Sequence, residues 1–237
     1  LQHRHKSGNT LAVWQTITAV KDAGNILSHY VTVFSDISPL KQSQQEIYYL
    51  ALHDALTGLP NRRFLNEQLE RNIRQASSDS SAFAVIYLDL DNFKMINDTQ
   101  GHCEGDKVLE VVTGYLKSLL LADSTVARVG GDEFVILISN NTKEQVHQLA
   151  CSVLEQIEQP IILNGQRINV AASMGICFYP EDGKNAKDLL RNADIAMYKA
   201  KQQGKKCCLF YDKSMADDIL AKAQIEMQLR LAISKNE

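Results

Sequence analysis

The chain is poor in the features that would place it in several common classes. Its five cysteines, Cys103, Cys151, Cys177, Cys207 and Cys208, are odd in number and contain no Cys-x-x-Cys pair. That argues against a disulfide scaffold or a zinc site and favours reduced cytosolic thiols. The vicinal pair Cys207-Cys208 reads as strand packing. No apolar run reaches the ~18 residues that span a bilayer. The first residues lack a signal-peptide apolar core. Basic excess is also missing, with 25 Lys and Arg against 28 Asp and Glu and a formal charge of −3. Bulk nucleic-acid binding, which needs a basic face, is not expected. There is no internal repeat and no low-complexity tract. The initiator Met is absent too, as expected of a segment taken from inside a longer protein.

What is present is an ordinary globular composition, 45% apolar and 22% charged over 237 residues. That is enough for one large or two small domains with a core. Residues 10–20 and 28–37 read as strands joined by the turn Asp22-Ala23-Gly24-Asn25. Two strands alone are marginal, so this hairpin reads as the end of a domain. Residues 39–53 then read as a helix. Leu40 and Ile47 stand one heptad apart and Leu50 follows at +3. This short seam suits either pairing with another helix or packing on its own domain.

From Asp54 the texture changes. A turn over 56–62 precedes a helix over 62–76. Residues 83–90, FAVIYLDL, form a nearly continuous apolar run ending in a carboxylate, the pattern of a buried central strand. A helix over 104–121 and a hairpin follow, with strands at 125–129 and 133–139. Then come a helix over 142–157, strands near 160–163, 167–171 and 173–178, a helix over 186–203 with its apolar stripe, a strand over 207–212 and a helix over 214–233. Alternating strands and helices with hairpins among them predict an α+β sheet covered by helices.

Three clusters carry candidate chemistry. Asp89 and Asp91 end the buried strand on one face, and crowded carboxylates there are costly without a cation. Their hard oxygens suit Mg2+. Gly130-Gly131-Asp132-Glu133 occupies a tight hairpin, where glycine lets a ligand approach the backbone. In a regular strand Asp132 and Glu133 point to opposite sides, so at most one faces Asp89's site. Lys199, Lys201, Lys205 and Lys206 surround Gly204 at a helix end. They either complement the helix dipole or hold phosphates.

The order of these clusters resembles the GGDEF family. Arg128-Val129-Gly130-Gly131-Asp132-Glu133-Phe134 is similar to its signature. Asp54-Ala55-Leu56-Thr57-Gly58-Leu59-Pro60-Asn61-Arg62 resembles its opening motif, and residues 89–106, DLDNFKMINDTQGHCEGD, its nucleotide motif. Ser173-Met174-Gly175-Ile176 and the stretch from Ala193 to Gly204 resemble its later motifs. Together they cover about residues 54–212.

The resemblance implies a ferredoxin-like nucleotidyl-cyclase fold with a mostly antiparallel central sheet, and a diguanylate cyclase activity that joins two GTP into cyclic di-GMP. It implies that Asp89, Asp132 and the Leu90 carbonyl bind Mg2+ or Mn2+. Asn97 and Asp106 would read guanine, and Lys94, Lys201 and Lys205 would hold phosphates, with Gly130, Gly131 and His102 also at the substrate. Glu133 belongs to the signature and is grouped with Asp132 and Lys94 as catalytic. A carboxylate at 106 accepts from guanine N1–H and N2–H2, whereas adenine presents an acceptor at N1. Asp132 or a metal-held hydroxide is the candidate base for the 3′-OH proton.

Because the product is built from two GTP, two facing copies of the chain are expected, brought together by helix 39–53. The alternative function is a GTP-binding regulatory module that makes no product. Two departures from the family pattern stand out. Lys205-Lys206 replaces the common Arg-Asn after the glycine, which keeps charge and loses the bidentate fork. The inhibitory product site, RxxD, has Leu121 and Ser124 at its two positions, so no tight product inhibition is expected. Residues 1–38 resemble the end of a PAS sensor domain. Residues 214–237 resemble a helix leading to an EAL phosphodiesterase domain, with 39–53 as linker and 54–213 as the GGDEF domain. A cytoplasmic location is expected, with any membrane attachment of the full-length protein made through segments missing here.

Overall fold

The computed structural model describes residues 2–4, 10–120 and 124–218. The chain divides into two units, residues 1–51 and 52–237.

The first unit is a three-stranded antiparallel sheet and a helix. Strand β1 (Gln2–Arg4) pairs with β2 (Thr10–Lys21), which pairs with β3 (Leu27–Asp36). Asp22 makes the turn between the long strands. Its carboxylate accepts from the Gly24 and Ile26 amides, the local bonding that lets Asp start turns. Helix α1 (Ser38–Leu52) follows. Its seam residues Leu40, Ile47 and Leu50 are all more than half exposed.

In the second unit, α2 (Arg62–Asp79) begins where the Asn61 carboxamide accepts from the Arg63 and Phe64 amides, an N-cap supplied by the opening motif. Strand β4 (Phe83–Asp91) is buried at all nine positions. Next come α3 (Phe93–Gln100), α4 (His102–Leu119), β5 (Thr125–Gly130), β6 (Glu133–Ser139) and α5 (Lys143–Ile157). Strands β7 (Ile161–Leu163) and β8 (Gln166–Ile168) form a small ribbon. Strand β9 (Ala171–Tyr179), α6 (Ala186–Gln202) and β10 (Cys208–Phe210) complete the described elements. Residues 213–218 are helical, and the remainder of the expected 214–233 helix lies outside the described residues.

The sheet order is β10-β9-β4-β6-β5, antiparallel throughout except for the β10–β9 pair. It is the expected mostly antiparallel α+β sheet, with β4 at its centre. Alternation along β4 separates two cores. Ala84, Ile86, Leu88 and Leu90 face a cluster that includes Val108, Val112 and Leu116 of α4 and Val146, Ala150 and Val153 of α5. Phe83, Val85 and Tyr87 face Leu65 and Leu69 of α2 and Leu189, Ala193 and Met197 of α6. Helices on both faces explain why β4 reads as continuous hydrophobicity rather than alternation. No described helix is long and apolar enough to cross a membrane.

Helix α6 lies unusually close to β9. A Cβ on Gly175 would collide with the Ala193 carbonyl oxygen and the Met197 amide nitrogen, both backbone atoms. Ala193, Ala196 and Ala200, fully buried on the same helix, keep the approach close. Gly175→Ala should therefore cost about 3 kcal/mol or more, at or above the upper end of ordinary overpacking. Chemical denaturation measures it, and unchanged stability would show that α6 can retreat freely.

Candidate active site

The site forms where the centre of the sheet ends. Asp89 on β4 stands opposite Glu133 on β6 and Ser173 on β9. Asp89 is 7% exposed and its Oδ1 lies 2.6 Å from the Lys201 ammonium. Lys201 is in the last turn of α6, so the close packing at Gly175 brings this ammonium to the strand end. Burial pushes the Asp89 carboxyl up to about 6. Lys201 opposes that shift, while the charges of Asp132 and Glu133 add to it. This is a pocket of oxygen anions with less positive charge than it can accommodate.

Asp91 plays a different part from the one its pairing with Asp89 suggested. Both are on one face, but Asp91 is already satisfied. Its carboxylate accepts from the Ser173 hydroxyl at 2.9 and 3.0 Å and from the Lys206 amide at 3.2 Å. It anchors the loop after α6 to the sheet. In that loop Lys205 and Lys206 both have positive φ, 67° and 55°. Lysine adopts this backbone at a cost of about 1 kcal/mol or more per residue. The Lys205 ammonium donates to the Asn92 carboxamide oxygen at 2.8 Å.

The hairpin between β5 and β6 carries the signature. Glu133 is in register with Asp89, and its carboxylate accepts from the Tyr87 hydroxyl at 3.1 Å. By strand alternation Glu133 is the residue on Asp89's face. Asp132 escapes the alternation because it belongs to the turn. Its carbonyl accepts from the Leu90 amide at 3.3 Å, and its charge is felt at Asp89 ahead of that of Glu133. Gly131 takes φ of 22° in the turn, and a Cβ on Gly130 would lie 3.3 Å from a Glu133 carboxylate oxygen.

The turn is held by Arg128, a tie that motif reading assigned no role. Its Nε and one terminal nitrogen donate to the Gly131 carbonyl at 3.0 and 2.7 Å. Its other terminal nitrogen lies 2.9 Å from Asp54 Oδ1. The same oxygen accepts from the Thr57 amide and hydroxyl. The Arg128 amide also donates to the Pro60 carbonyl. The opening motif and the signature are thus one hydrogen-bonded unit. An acid and a base spaced 74 residues apart in two separate motifs were the available signal.

Of the remaining expected residues, Asn97 is half-buried on α3, and His102 and Asp106 are exposed at the start of α4. The Asn97 carboxamide lies where a Cβ on Gly105 would be, one residue before Asp106. Gly105 therefore permits the approach of the α3 side chain to α4. Lys94 is exposed on α3. At the expected inhibitory site, Leu121 lies outside the described residues and Ser124 is partly buried just before β5.

Residues 51–207 match the family described as diguanylate cyclase, GGDEF domain. The chain belongs to the GGDEF family. It is 40% identical over 198 residues to MucR of Pseudomonas aeruginosa, a bifunctional diguanylate cyclase/cyclic di-GMP phosphodiesterase, covering 84% of this chain and 29% of that protein. It is 32% identical over 211 residues to NbdA, a cyclic di-GMP phosphodiesterase of the same organism, covering 89% and 27%. The GGDEF domain of P. aeruginosa TpbB superposes with a TM-score of 0.69 at 34% identity, covering 71% of this chain and 99% of that one. The chain spans under a third of the length of MucR and NbdA.

The Asp54–Arg128 tie makes a pH prediction. Burial works against ionisation of Asp54, but hydrogen bonds from Thr57 and Arg128 outweigh it and hold the carboxyl below its usual range. A carboxyl depressed in the folded state contributes stability above its unfolded value, and loses it as pH falls through the folded one. Asp54→Asn should cost about 1–3 kcal/mol near neutral pH. The gap from the parent protein should close in acid, below the ordinary carboxylate range. Denaturation across pH measures it, and a gap that persists in strong acid would contradict the tie.

Proposed function

We propose that this GGDEF domain is a diguanylate cyclase that condenses two GTP into cyclic di-GMP with release of pyrophosphate. The observation that carries the reading is the anionic strand end, with Asp89 buried beside Asp132 and Glu133 and opposed by one ammonium, that of Lys201. Domains that only bind nucleotide have no need to retain so costly a cluster.

Two carboxylates and a main-chain carbonyl, those of Asp89, Asp132 and Leu90, are a hard-oxygen donor set that fits Mg2+ or Mn2+. Bound there, such an ion supplies charge neutralisation for the triphosphate and polarisation of its α-phosphate. Lys201 lies on Asp89, so we assign it to release that carboxylate and turn to the phosphates when substrate enters. Lys94 and Lys205 complete the phosphate grip. Asp106 accepts from the guanine N1–H and N2–H2 and the Asn97 carboxamide reads the same base, with His102 at the rim of the α4 start. Gly130 and Gly131 let the ribose approach the turn backbone.

In each half-reaction the 3′-oxygen of one GTP forms a bond to the α-phosphorus of the other. The bond to the β-phosphate oxygen breaks and pyrophosphate leaves. Asp132 takes the 3′-hydroxyl proton, and Glu133, bonded to Tyr87, holds the turn in place. Two chains must face each other. The exposed seam Leu40, Ile47 and Leu50 supports pairing through α1. We assign residues 1–38 to a PAS sensor end and 214–237 to a linker toward an EAL domain, in the cytoplasm. Leu121 and Ser124 lack the RxxD charges, which supports turnover free of tight product inhibition.

A second reading, a GTP-binding module that regulates a downstream phosphodiesterase, draws on the similarity to NbdA. Chromatography of the products from GTP and Mg2+ separates the two. The cyclase reading expects cyclic di-GMP at a rate rising with the square of protein concentration, and a fall of more than about 100-fold in Asp132→Ala. Asp106→Asn should cost about 10- to 100-fold in GTP affinity by leaving guanine donors unpaired. GTP binding without product, even in a forced dimer, would select the regulatory reading. Full turnover in Asp132→Ala would overturn the assigned base.

A further inference from the structure

Two cysteines and one histidine that sequence spacing left unconnected meet at the far edge of the sheet. His147 and Cys151 are four residues apart on α5, hence on one face of the helix. Strand β10, at the sheet edge, sets Cys208 against them. One donor atom from each of the three lies within 4.8 Å of the others. The Cys151 sulfur is 3.9 Å from either ring nitrogen of His147. The imidazole is backed by the Phe210 ring at 5.8 Å between centroids, tilted by 26°. Cys151 and Cys208 are half-buried and His147 is exposed, so the cluster opens to solvent through the imidazole.

We propose that His147, Cys151 and Cys208 form a site for a thiophilic d10 cation, Zn2+ in the first instance. Two sulfurs and one imidazole are the donors such an ion prefers over the hard oxygens at Asp89. Metal–sulfur bonds of about 2.3 Å and metal–nitrogen bonds of about 2.0 Å set tetrahedral donors about 3.5 to 3.8 Å apart. The observed spacing therefore needs a contraction of about 1 Å or less, within reach of side-chain rotation. Three protein ligands leave one position open. Glu155 lies four residues beyond Cys151 on the same helix face and lines the same cleft of about 310 Å3, together with Glu158 and Lys206. It or water fills the fourth place.

The site joins two parts that no described disulfide links, α5 and the start of β10. Cys208 is two residues from Lys206, whose amide holds Asp91, and three from Lys205, whose ammonium holds Asn92. A cation here braces the loop that carries Lys205 and Lys206.

Cobalt(II) titration of the reduced, metal-free chain tests the proposal. The expected result is thiolate-to-cobalt charge-transfer absorption saturating at one equivalent and displaced by Zn2+. That absorption should be lost in Cys151→Ser and Cys208→Ser, shifted in His147→Ala, and kept in Cys103→Ser, whose thiol is on α4 and outside the cluster. Thermal unfolding of each variant confirms that it is folded, and Zn2+ should raise the midpoint of the parent protein and of Cys103→Ser but not that of Cys151→Ser or Cys208→Ser. No charge-transfer band in the folded parent protein would overturn the site. So would a band that survives both Cys151→Ser and Cys208→Ser.

Discussion

The carboxyl of Asp89 sits at the end of a strand that has no solvent face, and the rest of the site answers to that placement. Strand β4 is buried on both sides because helices cover both faces of the sheet. Its last residues therefore present charge at the boundary of the core. Two compensations are built in. Gly175 lets α6 descend close enough for Lys201 to reach Asp89. Ser173 and the Lys206 amide satisfy Asp91. What remains is an excess of negative charge, since one ammonium stands against the three carboxylates of Asp89, Asp132 and Glu133. The donor atoms left over are those that a hard divalent cation takes.

The hairpin is a second, separable device. Arg128 grips the Gly131 carbonyl and is itself gripped by Asp54, so the signature turn is held from the opening motif. Asn61 in the same motif caps α2. Residues that look like a recognition pattern in sequence are thus divided between chemistry and scaffolding. Asp132 and Glu133 set their charge against Asp89, whereas Arg128, Asp54 and Thr57 keep the turn where it is and Asn61 starts α2.

Much of this was legible in the residues. The buried strand 83–90, the hairpin, the long helices and the α+β arrangement follow from apolar period and turn chemistry, and their boundaries shift by only a few residues. Helix α3 was hidden because its eight residues, FKMINDTQ, read as motif and are too short for a period to show. The expected strand 167–171 is shorter, Gln166–Ile168, with β9 starting at Ala171. Local pattern cannot say which carboxylate pairs with an ammonium and which is held by a hydroxyl and an amide. Asp89 and Asp91 are equivalent by alternation, and only the long-range partners Ser173 and Lys206 separate them. The grouping of His147, Cys151 and Cys208 was invisible for the same reason, since Cys208 is 57 residues along the chain from Cys151 and no spacing rule connects them. Guanine reading by Asn97 and Asp106 came from resemblance, and what Gly105 accounts for is the close approach of the Asn97 carboxamide to α4.

The central claim is that the anionic strand end exists to hold a divalent cation with a nucleoside triphosphate. Calorimetric titration of a non-hydrolysable GTP analogue, with Mg2+ and then with chelator, tests it directly. The account predicts binding that needs Mg2+ and that Asp89→Asn abolishes without unfolding the chain. Equal affinity in chelator, or in Asp89→Asn, would contradict it.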